Sequence, residues 1–156
     1  MLICDEPLSA LDVSVRAPIV NLFARLQAQL GLTIVIVAHD LAIVRDVCSS
    51  VTVMYLGRVA EQGVTRPLFA DPAHPYTQAL LSAVPSPDPR VEVNRPRILL
   101  AGDPPSPLNP PAGCRFSTRC PVVEAECRVT EPQLRAVLHG GQAACHLAAA
   151  DSHVVI

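Results

Sequence analysis

The chain contains no lysine, so all twelve of its basic side chains are arginines. That excludes a complete phosphate-binding P-loop, whose Lys must reach the β- and γ-phosphates. Tryptophan is also absent and aromatics make up only 3% of the residues, which leaves little for stacking nucleic-acid bases. With a net charge of −2 there is no basic surface to hold a phosphate backbone, and no nucleic-acid partner is expected. No apolar run approaches the ~20 residues that span a bilayer. The N-terminal residues carry no basic segment before an apolar one, so no secretory signal is read there. What the sequence has in excess is apolar residues, at 50% of its 156 positions, and proline, at 16. A buried core is therefore expected, in one domain or part of one with an appendage.

The apolar run Met1 to Cys4 leads into Asp5, Glu6 and Pro7, then into the turn Ser9 to Asp12. This reads as a strand delivering two carboxylates to a sheet edge, the place where α/β proteins bind ligands. Apolar residues then recur at helical spacing from Val15 to Leu30, with Asp12 or Ser14 as N-cap and Gly31 as the stop. Pro18 is expected to cost this helix a backbone bond or to kink it. The unbroken run Leu32 to Ala38 predicts a strand buried on both faces, ending at His39 and Asp40. A second helix is expected through Leu41 to Cys48. A strand at Val51 to Leu56, a tight turn at Gly57-Arg58 and a return through Gln62 follow. Strand, helix, strand, helix, strand is the order of an α/β sheet.

Composition changes at Gly63. Short helices are expected from Thr65 and from Pro75 to Ala83. From Pro85 to Pro111 nine prolines predict an extended strap without helix, with one edge strand at Ile98 to Leu100. Two domains follow: residues 1–64, and an extension over 65–156 made of the strap (85–111) and a cysteine-bearing module (112–146).

Adjacent carboxylates at a strand end point in different directions. One of the pair suits a hydrated Mg²⁺, and the other suits a water attacking a phosphate. His39, at the end of the next strand, should stand at the same edge, within reach of a phosphate and that water. Cys4 and Cys48 read as core residues. Cys114, Cys120, Cys127 and Cys145 follow the spacing C-x(5)-C-x(6)-C-x(17)-C. Paired C-x-x-C spacing is missing, which weakens a zinc ribbon, and disulfides are disfavoured in a reducing cytoplasm. Four thiolates suit a 4Fe–4S cluster, with Arg115, Arg119 and Arg128 offsetting its charge. Zinc is the lesser alternative, and His146 a further candidate ligand. His74, His139 and His153 are expected to be plain surface residues.

ICDEP, SALD and VAHD, in this order and spacing, resemble the Walker B segment, D-loop and switch-histidine loop of ATP-binding cassette transporter ATPases. The resemblance implies an α/β fold, the C-terminal half of a P-loop cassette. It implies that Asp5 positions Mg²⁺ with ATP, that Glu6 is the catalytic carboxylate and that His39 contacts the γ-phosphate. Ser9 and Asp12 would reach a second ATPase subunit across an ATP-sandwich dimer; Asp12 also suits a helix cap. The segment Leu68 to Pro89, with its His74-Pro75-Tyr76-Thr77 element, and the later PSPLNPPAGCRFSTRCP resemble the C-terminal extension of oligopeptide and dipeptide importer ATPases. Related importers carry an iron–sulfur cluster, which supports that assignment for the four cysteines. The implied partners are transmembrane permease subunits, and the implied location is the cytoplasmic face of the membrane. The family's phosphate loop, glutamine loop and LSGGQ signature precede Walker B and are missing here. LHGGQ at Leu138 to Gln142 carries His139 in place of the Ser and is a decoy. A C-terminal fragment is expected, inactive alone. The rival reading is a non-enzymatic iron–sulfur or zinc-binding interaction module.

Overall fold

A computed structural model describes residues 1–9, 11–85, 88–94, 96–148 and 154. His153 lies outside the described residues. The chain divides into two compact units, Met1–Cys48 and Ser49–Ile156.

In the first unit, β1 (Leu2–Asp5) and β2 (Ile34–Val37) pair in parallel, joined by α1 (Val13–Leu30); α2 (Leu41–Val47) follows β2. The apolar stripe of α1 follows Ile19, Phe23 and Leu26, all partly buried, while Val15, Leu22 and Leu30 are exposed. Gly31 ends the helix in the left-handed region, at φ 61°, which a residue without Cβ adopts freely. Pro18 withholds one amide from the ladder but the helix runs on. Asp12 occupies the N-cap position of α1, yet its carboxylate makes no capping bond; only its backbone carbonyl serves, accepting from Val15 and Arg16.

The unbroken apolar run of β2 is not buried on both faces. Ile3, Val35 and Val37 share an exposed face, while Leu2, Cys4, Ile34 and Ile36 are half-buried on the other. A strand covered on both sides needs a layer on each, and this two-stranded sheet has one face uncovered. Cys4 and Cys48 are likewise only partly buried.

In the second unit, β3 (Ser50–Tyr55) and β4 (Arg58–Val64) form an antiparallel hairpin, separate from the β1–β2 sheet. The turn residues are Leu56 and Gly57, at φ 45° and 75°, one position earlier than the sequence suggests. Two positive-φ residues match the twist of a tight hairpin. The sheet continues β3-β4-β6-β5, with β6 (Gln142–Ala143) and β5 (Arg135–Ala136) contributed by the tail. That pairing sets the structural division at Cys48, ahead of the composition change at Gly63. Helices α3 (Thr65–Ala70) and α4 (Pro75–Ser82) follow the hairpin. The proline strap contains a short helix after all, α5 (Pro89–Asn94), opening on a proline whose fixed φ suits a first helical turn. Ile98 to Leu100 form no strand; the Ile98 amide donates instead to Ser82 Oγ at 3.1 Å. A last helix, α6 (Ala125–Val129), precedes β5. The core gathers Val137, Ala143, Cys145, Ala148 and Val154, beside an aromatic cluster of Tyr55, Tyr76 and Phe116 with ring centroids 4.7–5.3 Å apart. Among the described residues no helix is long and apolar enough to cross a membrane.

Candidate functional site

The parallel register pairs Asp5 with Val37, and the Glu6 amide donates to the Val37 carbonyl at 2.9 Å. Both strands therefore end at one edge, as the sequence suggests. Asp5 is exposed there. Glu6 takes φ 45°, a left-handed conformation that non-glycine residues adopt at a cost of order 1 kcal/mol. Its Oε1 lies 3.3 Å from His39 Nδ1. Since a carboxylate only accepts, Nδ1 is the donor, and Nε2 is left for another partner. Both side chains are open to solvent, 49% for Glu6 and 71% for His39. Glu6, Ser9, Arg16, His39 and Asp40 line a cleft of about 30 Å³, enough to seat a water molecule. An acceptor, an imidazole and a water-sized gap are the parts that in-line attack on a phosphate requires.

Ser9 is exposed, and its hydroxyl donates to the Glu6 carbonyl at 2.9 Å, bracing the strained residue. Asp12 is exposed.

Two residues were not singled out from the sequence. Asp40 caps α2, its Oδ1 accepting from the Ala42 and Ile43 amides at 3.0 and 3.4 Å. Arg16 pairs with Asp40 Oδ2 at 3.1 Å and donates from Nε to the Leu11 carbonyl at 3.0 Å. An acidic residue directly before an apolar helix is a legible cap. The arginine's partners, 5 and 24 residues away, are visible only in three dimensions.

In the second unit, Cys114, Cys120, Cys127 and Cys145 line one small cavity with His74, Phe116, Ser117 and His146. Gly113 allows this convergence: a Cβ there would lie 2.5 Å from the Cys127 carbonyl, which accepts from the Cys114 amide at 2.8 Å. Burial raises the Cys114, Cys120 and Cys145 thiols, Cys120 to about 11, and thiolate repulsion within the group adds to it. The pocket therefore penalises bare thiolates, so their ionised form needs a compensating cation. No three Cys, His, Asp or Glu side chains among the described residues are placed to hold one metal ion. The four thiols thus share a cavity without closing on a single point. His146 makes its bonds elsewhere, to the Thr130 carbonyl at 3.0 Å and to Glu126 at 3.6 Å.

His74 and His139 are not surface residues. The His139 side chain is 2% exposed and bonds the fully buried Glu61 at 2.8 Å. The same carboxylate accepts from the Ala73 and His74 amides at 2.7 and 3.1 Å. LHGGQ spans the turn of the β5–β6 hairpin, and its second glycine, Gly141, is required by close packing: a Cβ would lie 2.3 Å from both the Gln62 carbonyl oxygen and His139 Cε1. A larger cavity of about 540 Å³, lined in part by Arg58, Arg115 and Glu131, holds no comparable pair; Glu131 already neutralises Arg58 at 2.9 Å.

Residues 60–127 match the family described as the oligopeptide/dipeptide transporter, C-terminal region. The oligopeptide transport ATP-binding protein OppF of Escherichia coli (strain K12) is 52% identical over 134 residues, which cover 86% of this chain. Over most of its length the chain is therefore similar to oligopeptide transport ATP-binding proteins. OppF of Salmonella typhimurium shows the same 52% identity over 134 residues. YkfD of Bacillus subtilis (strain 168) is 51% identical over 146 residues, 94% of this chain. The chain spans 40% of either OppF and 44% of YkfD. The C-terminal-region match runs from β4 through α6 and takes in His74 and three of the four clustered cysteines. The Glu6–His39 edge lies outside it.

Proposed function

We propose that this chain supplies the water- and magnesium-handling edge of an ATP site in a subunit that powers peptide import. The observation that carries this reading is the 3.3 Å approach of Glu6 and His39 beside a water-sized cleft, at the shared end of two parallel strands. Glu6 would orient a water and draw off its proton, held in place by the Ser9 bond to its own carbonyl. His39, held through Nδ1, would turn Nε2 toward the γ-phosphate. Asp5 would hold Mg²⁺, which when bound neutralises phosphate charge. Asp12 is exposed and suits contact with a second ATP-binding subunit; Ser9 is already bonded within its own turn. Permease subunits in the membrane would be the further partners, with this protein on their cytoplasmic side. The phosphate-loop amides and lysine that supply most triphosphate affinity are not in this sequence, so the chain alone is expected to be inactive.

The decisive experiment is a chimera in which this chain replaces the matching 134 residues of E. coli OppF. The chimera should hydrolyse ATP and restore peptide uptake, and Glu6→Gln should lower hydrolysis about a hundredfold or more. Unchanged hydrolysis in the Glu6→Gln chimera would overturn the reading.

Cys114, Cys120, Cys127 and Cys145 would hold a 4Fe–4S cluster, supported by their common cavity and soft donor chemistry. Such a cluster supplies structural cross-linking or one-electron chemistry. Anaerobically prepared protein should contain iron and acid-labile sulfide, both lost in Cys127→Ser; protein holding neither would defeat the assignment.

A further inference from the structure

Arg16 makes two bonds that lead in different directions. Through Nε it holds the Leu11 carbonyl, in the turn that follows Glu6; through Nη1 it holds Asp40 Oδ2, directly after His39. Asp40 is itself fixed, because its other oxygen caps α2. Ser9 closes the remaining link by bonding back to Glu6. A guanidinium can make both bonds because its N–H groups form a rigid planar fork; an ammonium is a single point with no such span. The Glu6 amide already ties its backbone to Val37, but the Glu6 and His39 side chains are both solvent-exposed and meet in one long 3.3 Å contact. The bonds of Arg16 add a second tie between the ends of β1 and β2, on the side where those side chains meet.

We propose that Arg16 is a positioning residue that locks the turn after Glu6 to the loop bearing His39, so that the carboxylate and imidazole remain opposed. It borders the same cleft, and in this reading it acts through its bonds to Leu11 and Asp40. The proposal rests on the assignment of Glu6 and His39 as the hydrolytic pair for its meaning, but its geometry is measurable without ATP. Arg16 lies in the first turn of α1, four residues after the N-cap Asp12, whose carbonyl accepts from the Arg16 amide at 3.2 Å.

The test uses the full 156-residue chain and the NMR signal of the His39 Cε1–H group. In the parental chain, Glu6→Gln should shift that signal, because the ring sits against the carboxylate. In an Arg16→Ala background the same Glu6→Gln change should leave the signal where it is. Arg16→Lys should restore only part of the response, since it keeps the ion pair to Asp40 and drops the Leu11 bond. Asp40→Asn, which keeps the acceptor that caps α2, should reproduce the Arg16→Ala result and serves if Arg16→Ala fails to fold. A full His39 response to Glu6→Gln in both Arg16→Ala and Asp40→Asn overturns the proposal. That outcome is separate from failure of the ATPase reading, which would appear as an inactive or Glu6-independent chimera with the His39 response intact.

Discussion

His74 sits 3% exposed, with its Nδ1 accepting from the Tyr76 amide at 3.0 Å and its other nitrogen bonded to the Ala144 backbone. Burial pushes its pKa down to about 4, so the folded protein holds it neutral. Between that value and the ordinary histidine value near 6.5, the unfolded chain binds the extra proton and the folded chain does not. Stability from this residue is therefore full above pH 6.5 and is lost as pH falls toward 4, by on the order of 3 kcal/mol. Urea denaturation of the second unit should show that decline across this window, and His74→Gln should remove it. The same residue shows where reading residues one by one stops. A histidine before Pro-Tyr at a helix start looks exposed, and nothing local reveals that Glu61, thirteen positions earlier, receives its amide. Glu61 and His139 are 78 residues apart and each looks ordinary in its own segment. Glu6 and His39 were legible because strand ends report themselves: an apolar run stops and a charged residue begins.

At the level of elements, the sequence signals that succeeded were short-range ones. The span of α1, its glycine stop, the β3–β4 hairpin and the proline-led start of α4 all appear close to where their residues put them. The signals that failed depended on what lies across the element. The apolar run of β2 promised burial on both faces, but burial is a property of neighbours, and Val35 and Val37 stand 44% and 52% exposed. The strap was read as helix-free from its prolines, yet a proline at a first helical position costs no bond, and α5 begins on one. β5 and β6 are two residues each and exist through pairing to β4, so no local pattern announces them. Pro18 offers a direct check on α1. It is exposed, it stands inside the helix, and its ring removes one amide donor. Pro18→Ala should restore that bond and stabilise the first unit by about 2 kcal/mol, after allowing for the greater freedom of the unfolded chain. Urea unfolding followed by helical circular dichroism would measure the gain; an unchanged or lower midpoint would show the helix already relaxed around the proline.

Taken whole, the molecule assigns its chemistry unevenly. The first unit carries the carboxylate–imidazole edge on two strands and two helices, and the second carries the thiol cavity on an antiparallel sheet sewn together by its own tail. A reader of the sequence picks out both sets of residues, because paired carboxylates, strand-end histidines and clustered cysteines are few and chemically distinct. The supporting residues, Arg16, Glu61 and Gly113, are common types whose roles arise only when distant segments meet. The uncovered face of β1 and β2 has a practical meaning for anyone handling this chain. Ile3, Val35 and Val37 present hydrocarbon to water on a two-stranded ribbon with unpaired ladder groups at its edges. Such a surface is adhesive, and its stickiness grows with concentration. Light scattering should therefore rise with protein concentration and fall in Val35→Thr and Val37→Thr variants, and kosmotropic salt should strengthen it.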